Sequence, residues 1–274
     1  MPVDLTDFKI QQAALELRYA TAFLLWDRAG SIWRKIASYY PEISPKNVQP
    51  NLQMFSLDAR TDGTVQIERC LITTMHVGNL EEFKRLGAIF CEEVISRLEI
   101  NVIDRIGFRI IFEKKFNNVD EAIVYIQGVV RAKPPKEKYF NIKGGLKEFE
   151  HTMRWEDESR GCLARIKTAQ LKLNIETPKE FDELSGVHAQ RTVVVVDVDM
   201  YTLLPVPVGR FSAPALIEDW LRLMKRDLSE FLGSRPINCL ARSKRCDSRL
   251  PKGSADDSRS ILADRRAVFK DRAA

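Results

Sequence analysis

The stretch Arg105-Ile-Gly-Phe-Arg-Ile-Ile-Phe112 decides the fold. It follows a long amphipathic segment and completes a strand–helix–strand–strand–helix–strand order over about the first 115 residues, the split βαβ unit of ferredoxin-like folds. Because side chains alternate along a strand, one face is apolar and consists of Ile106, Phe108, Ile110 and Phe112. The opposite face carries Arg105, Gly107, Arg109 and Ile111.

Two arginines that flank a glycine on this second face form the first candidate site. Gly107 has no Cβ, so another backbone, an aromatic ring or a ligand can approach closely. The guanidinium fork of arginine binds carboxylates and other anions through paired hydrogen bonds. We therefore take Arg105 and Arg109 as candidate binding residues. The alternative is a solvated or ion-paired sheet face, since arginine is mostly exposed in proteins.

Hydrophobic periodicity assigns the other elements of the first expected half, residues 1–131. We expect strands over 8–19, 51–60 and 64–75, and helices over 21–39, 80–98 and 119–131. The apolar stripe of the first helix is expected to consist of Phe23, Trp26, Ile32, Trp33 and Ile36.

Two local signals set element ends in this half. Asp-Gly between apolar runs is a strong hairpin signal, so Thr61-Asp62-Gly63 is expected to turn between the two middle strands. Asn79 is a good helix N-cap, and Glu81 and Glu82 in the first turn favour the positive end of the helix dipole.

Residues 132–234 form the second expected half, a hairpin, a strand and a helix. Residues 133–145 are charged and interrupted by Pro and Gly, which indicates a linker or long loop. A hairpin is expected over 147–156 and 162–174, an irregular segment over 177–190, and a strand over 191–201. Ser212 then caps a helix whose expected stripe is Leu216, Trp220, Leu223, Leu228 and Phe231. The predicted fold is α+β: two ferredoxin-like-related halves, with antiparallel sheets and helices packed on one face.

The net charge of +5 is unevenly distributed along the 274 residues. Residues 235–274 carry 11 basic and 5 acidic residues, which leaves 32 basic and 33 acidic residues in 1–234. The tail is poor in large apolar residues and is predicted to be disordered. Nucleic-acid binding is expected only weakly and through this tail, because phosphate contacts need clustered positive charge.

Cysteine spacing and the N-terminus bear on the compartment. None of the five cysteines forms a C-x-x-C pair or a zinc pattern, which indicates reduced structural thiols. Met1–Asp7 lacks the features of a signal peptide, and no run of about 18 apolar residues predicts a membrane span. We expect a cytoplasmic protein that does not enter membranes.

Asp197 and Asp199 are the candidate metal ligands. They lie two residues apart on one face of the expected strand 191–201, about 7 Å apart by strand rise. Such carboxylate pairs hold magnesium in nucleotidyl-transfer enzymes. No third carboxylate and no phosphate-binding loop accompany them in the sequence, so the leading expectation is no metal and no cofactor. A metal-dependent nucleotide-processing enzyme is the alternative.

Trp155 is a further candidate binding residue. It stands among charged residues near the expected hairpin tip, and exposed tryptophans beside charges are frequent binding hot spots. His76, His151 and His188 show no spacing that predicts convergence, and the chain has no nucleophile-elbow or nucleotide-binding glycine motif.

The chain resembles a sporadically distributed bacterial family of about 250 residues that has no established activity. The resemblance rests on the segment 13–19 leading to Trp26, on the strand Arg105-Ile-Gly-Phe-Arg109, and on a terminal helix over 216–231. In that family the strand often continues into Tyr and Asn, where this chain has Ile110, Ile111 and Phe112. The resemblance implies no catalytic residues, and its patchy distribution implies a mobile-element or phage-defence context.

The leading functional prediction is a non-enzymatic cytoplasmic interaction or regulatory protein with a protein partner or self-association. The metal-dependent enzyme with Asp197 and Asp199 and nucleic-acid binding through the tail are the alternatives.

Overall fold

The computed structural model describes residues 7–130, 146–175 and 187–233, with the backbone alone described at 172–175, 187–189 and 229–233. The chain divides into two compact units, Met1–Arg235 and Pro236–Ala274, and all described residues lie in the first. The predicted linker over 133–145 and the predicted disordered tail over 235–274 lie outside the described residues.

The described residues include eleven strands and four α-helices. The strands are β1 (Lys9–Arg18), β2 (Ser44–Gln49), β3 (Leu52–Ser56), β4 (Thr61–Gln66), β5 (Arg69–Met75), β6 (Val102–Ile103), β7 (Arg105–Phe116), β8 (Glu150–Glu156), β9 (Arg160–Ile175), β10 (Val187–Thr202) and β11 (Val206–Pro207). The helices are α1 (Leu24–Ala37), α2 (Leu80–Leu98), α3 (Val119–Val130) and α4 (Ala213–Gly233). None of these helices is long and apolar enough to cross a bilayer.

Nine strands form one antiparallel sheet in the order β2-β3-β4-β5-β1-β7-β10-β9-β8, while β6 and β11 form a separate pair. Strand β1 lies between β5 and β7 and pairs antiparallel with both, so those two strands run parallel to each other. Strand β7 pairs with β10 on its other side. Strands from both expected halves therefore belong to the same sheet.

The core lies between one face of this sheet and the four helices. Side chains from every helix join a single buried apolar cluster with alternate residues of the central strands. Those of β7 are Ile106, Phe108, Ile110 and Phe112, as the alternation predicts. The prediction of an α+β protein with antiparallel strands is confirmed. We call the other face of the sheet, which carries Arg105 and Arg109 on β7, the open face.

The structure corrects the predicted turn at Thr61-Asp62-Gly63. These residues begin β4, and Gly63 pairs with Phe55 on β3 and Ile72 on β5. A Cβ on Gly63 would come within 2.8 Å of the rings of Phe55 and Phe90, so the glycine serves close packing inside the sheet. The turn lies earlier, where Asp58 accepts backbone hydrogen bonds from Arg60 and Thr61.

The structure also corrects the stripe of α1. The buried residues of this helix are Leu25, Ile32 and Ile36, whereas Phe23 and Trp26 are 59% and 58% exposed. The expected helix began at residue 21 and included Phe23, but α1 begins at Leu24, so Phe23 precedes its first turn. Sequence periodicity alone predicted that the rings of Phe23 and Trp26 lie in the core, whereas both lie on the surface.

The other helices follow the predictions more closely. Asn79 caps α2, because its side-chain oxygen accepts a hydrogen bond from the backbone N–H of Glu81 at 2.9 Å. In α4, Trp220 and Leu228 are buried as expected. Leu216 and Leu223 are only partly buried, while Ile217 and Met224 are buried instead. Residues 177–186 of the predicted irregular segment lie outside the described residues, and its last part, 187–190, belongs to β10.

Candidate functional site

Three arginines form one row across the open face. Arg18 on β1 stands directly opposite Arg69 on β5 and directly opposite Arg105 on β7. Neighbouring strands lie about 5 Å apart, and like charges directly opposite each other destabilise a sheet. The row is therefore an arrangement that folding alone does not favour.

Glu16 lies two residues before Arg18 on the same face of β1 and contacts all three arginines. Its carboxylate oxygens lie 2.6 Å from Arg18 Nε, 3.4 Å from Arg69 Nη1 and 3.5 Å from Arg105 Nη1. One negative charge thus contacts three positive charges. Glu16 offsets part of the repulsion and holds the guanidinium groups in place.

Arg109 forms the second part of the site with Asp197. Its Nε and Nη2 donate to the two oxygens of Asp197 at 2.7 and 2.6 Å, a bidentate pair. This hydrogen bonding raises the pKa of Arg109. The guanidinium therefore has a defined orientation on the sheet.

Asp199 lies between the two arginines of β7. It stands opposite Arg109 in the strand register, and its carboxylate lies 3.5 Å from Arg105 Nη2. Burial raises the pKa of Asp199, and the positive charges of Arg105 and Arg109 counteract this rise. Burial thus disfavours the charged form of Asp199, and the neighbouring arginines favour it.

Tyr201 completes the site. The guanidinium of Arg105 lies 4.7 Å from the centre of its ring, and its hydroxyl donates to Glu156 at 2.6 Å. The ring lies directly over Gly161, where a Cβ would come within 2.5 Å of it. At Gly107, opposite Tyr201, a Cβ would make ordinary contacts of 3.8–3.9 Å with Asp199 and Arg105, so no close approach requires the glycine here.

We call this group the arginine platform: Glu16, Arg18, Arg69, Arg105, Arg109, Asp197, Asp199 and Tyr201. Its negative and positive side chains differ in their exposure to solvent. The carboxylate side chains are the more shielded, at 18% exposure for Glu16, 13% for Asp197 and 28% for Asp199. The four arginine side chains expose between 29% and 50%. Solvent therefore meets mainly guanidinium groups, which the carboxylates position from below.

The geometry of Asp197 and Asp199 bears on the metal-site alternative. Both oxygens of Asp197 accept hydrogen bonds from Arg109, and Asp199 faces Arg105. A magnesium ion would have to displace these arginines before it reached the carboxylates. In the described part of the chain, no three His, Cys, Asp or Glu side chains are grouped to hold a metal ion.

Trp155 lies apart from the arginine platform. It pairs with Cys162 on β9, which stands opposite the core residue Met200, so its ring belongs to the helix side of the sheet. The ring is 52% exposed and borders a cavity of about 700 Å³ between the β8–β9 edge and α4. Burial raises the pKa of the Cys162 thiol in this cavity to about 11. The structure thus brings Arg105 and Arg109 together and leaves Trp155 on the other face.

Four residues of the platform were missed by the sequence reasoning: Glu16, Arg18, Arg69 and Tyr201. The alternation Glu16-Leu-Arg18 places two charges on one face of β1, and this was a readable signal. Arg69 and Tyr201 join them only through pairing between strands far apart in sequence.

A scan against family models finds no match to this chain, and a search of curated proteins finds none either. The family resemblance drawn from the motifs therefore stays a prediction.

Proposed function

We propose that this protein is a non-enzymatic interaction or regulatory protein whose arginine platform binds an acidic surface or segment of a protein partner. The single observation that supports this most strongly is the row Arg69–Arg18–Arg105, in which three arginines stand directly opposite one another on adjacent strands and all contact Glu16. A ligand that brings negative charge to this row relieves repulsion that the folded chain retains.

The positioning of the guanidinium groups supports recognition rather than simple solubility. Each is held by a carboxylate or an aromatic ring beneath it, so little side-chain freedom remains to be lost on binding. The planar guanidinium fork matches carboxylate geometry through two parallel hydrogen bonds. Arginine and tyrosine are also enriched in the buried centres of protein interfaces.

The finer features of the prediction are part of the same proposal. We infer a cytoplasmic location and, from the family resemblance, a bacterial mobile-element or phage-defence context. We also infer that the two halves derive from ferredoxin-like units. The order β5–α2–β7, with β1 between the two parallel strands, supports this for the first half, because it is a split βαβ unit.

The test is titration of the full chain with a hexaglutamate peptide, monitored by calorimetry at low and physiological salt. The variant Arg18→Glu/Arg69→Glu is expected to lower the affinity at least about tenfold, the change that 1.4 kcal/mol produces. The control variant Arg34→Glu/Lys225→Glu carries the same change in net charge at exposed helix positions. It is expected to bind like the wild type.

Equal weakening in both variants would show that net charge alone attracts the peptide, and the platform would be rejected as a site. A single-stranded oligonucleotide of matched charge serves as the second probe. If it binds more tightly than the peptide and its affinity falls in Arg18→Glu/Arg69→Glu, the platform recognises nucleic acid, and the protein-partner proposal is overturned.

A further inference from the structure

A depression of about 590 Å³ lies at the end of β1, beside the beginning of α1. The exposed rings of Phe23 and Trp26 line it and stand edge to face, with their centres 5.3 Å apart. Val102, also exposed, lines the same depression. Three large apolar side chains thus share one concave surface.

The charged side chains that line this depression are all acidic: Asp27, Glu99 and Asp104. Arg28 pairs with Glu99 at 2.7 Å. Asp27 and Asp104 take part in no ion pair within the described residues. Aromatic faces beside unpaired carboxylates form a site for an organic cation, and the planar guanidinium group suits both partners.

The depression adjoins the arginine platform. Tyr19, which lines the depression, directly follows Arg18 of the row, and Asp104 directly precedes Arg105. The backbone N–H of Asp104 donates to the carbonyl oxygen of Arg18 at 2.8 Å, which joins the two segments. A guanidinium-rich surface and an acidic aromatic surface therefore meet at the same end of the sheet.

We infer that the occupant of this depression is the arginine row of a second copy of this chain. This inference rests on the proposed function, because it names the partner of the arginine platform. In a two-fold dimer, the row of each copy faces the depression of the other, so both contacts form at once. The guanidinium groups of the row then lie over Phe23 and Trp26 and beside the carboxylates of Asp27 and Asp104.

The composition of the combined surface suits such a dimer. Arginine, tryptophan, tyrosine and phenylalanine are the residue types enriched at interface centres, and all four occur here.

The test measures the mass of the full chain by sedimentation equilibrium over a wide range of protein concentration. The wild type is expected to reach twice the chain mass of 31.5 kDa. In the variant Arg18→Glu/Arg69→Glu, an acidic row faces the acidic depression of the other copy. In Asp27→Lys/Asp104→Lys, the arginine row faces a basic depression. Each variant thus places like charges across both contacts. Each is expected to raise the dissociation constant of the dimer at least about 100-fold, because facing like charges are strongly unfavourable.

The combination of the two double variants is the decisive part of the test, because it restores opposite charges across the contact. The chain that carries all four substitutions has an acidic row and a basic depression, so it is expected to dimerise again. An equimolar mixture of the two double variants is expected to form a mixed dimer for the same reason. Arg34→Glu/Lys225→Glu is the matched control and is expected to dimerise like the wild type. Circular dichroism melts verify that every variant is folded.

A wild type that stays monomeric throughout overturns the inference. The inference is also overturned if neither double variant weakens the dimer. The same holds if the chain with all four substitutions, or the mixture of the two double variants, fails to dimerise. The proposed function is tested apart from this, because hexaglutamate binding that depends on Arg18 and Arg69 can occur in a monomer. A wild type that stays monomeric but still binds hexaglutamate rejects the second copy alone.

Discussion

The two faces of strand β7 differ in what holds them together. On the covered face, Ile106, Phe108 and Ile110 are fully buried against the helices. On the open face, Arg105 and Arg109 remain partly exposed and are held by carboxylates from β1 and β10. Burial of the apolar side chains on the covered face stabilises the fold. The ion pairs on the open face hold charges in position near solvent and add little to the free energy of unfolding. Substitutions on the two faces should therefore separate stability from binding.

The largest effect is expected from Phe108→Ala on the covered face. Its ring stacks on Phe83 of α2 with the ring centres 6.1 Å apart. Loss of the ring leaves a cavity, and the free energy of unfolding should fall by about 3–5 kcal/mol. Urea denaturation measures this change. The open-face neighbour Ile111→Ala is the control, and an equal loss there would refute the assigned difference between the faces.

A smaller effect is expected from Gly161→Ala, which adds one methyl group beneath Tyr201. The new Cβ would meet the ring at 2.5 Å, so the ring must move away from Arg105 and Glu156. Overpacking of this kind costs about 1–3 kcal/mol. Gly128→Ala in α3, where a Cβ meets nothing within 4 Å, should be neutral or stabilising. Similar thermal melts for the two variants would contradict the packing of Tyr201 over Gly161.

Asp197→Asn tests the bidentate pair with Arg109. The substitution weakens two charge-assisted hydrogen bonds, and because Arg109 is half exposed, the expected cost is about 1–2 kcal/mol. A double-mutant cycle with Arg109→Ala should give a coupling energy of similar size. A loss above about 3 kcal/mol for Arg109→Ala would mean a buried, structural arginine. Its role as a binding residue would then be withdrawn.

The smallest effect is expected from Asp199→Asn. Burial raises the pKa of Asp199 in the folded state, so the folded chain binds a proton more readily than the unfolded chain. The stabilisation that arises from this pKa difference is therefore complete below the pKa of an aspartate in the unfolded chain, about 3.9. It is lost as the pH rises through the pKa of Asp199 in the folded chain. Near pH 7 the variant should lie within about 1 kcal/mol of the wild type, since Arg105 loses only a longer contact.

Melts of both proteins between pH 7 and pH 4 measure the linkage of Asp199. As pH falls, the wild type should gain stability relative to Asp199→Asn, which cannot take up the proton. A relative loss at low pH would mean that the arginines lower the pKa of Asp199 below its unfolded value.

Local sequence patterns predicted the covered face well and the open face poorly. The cap at Asn79 and the hairpin β8–β9 were readable because neighbouring residues decide them. The turn expected at Thr61-Asp62-Gly63 was wrong because Gly63 is needed for packing against Phe55 and Phe90. The stripe of α1 was predicted correctly at Ile32 and Ile36 and wrongly at Phe23 and Trp26, because Phe23 precedes the helix and Trp26 lies on its exposed side.

The sequence by itself determined the α+β class and the alternation of apolar and charged residues along β7. It predicted two strands between α1 and α2, whereas the structure has four, β2 to β5. Only the tertiary structure decided that Arg69, Arg18 and Arg105 share one row and that Glu16 lies beside all three. The reason is physical: side-chain alternation is a property of one strand, whereas register depends on which distant strands pair. Strand β1 lies between β5 and β7, and the apolar residues of all three belong to one buried cluster with α2.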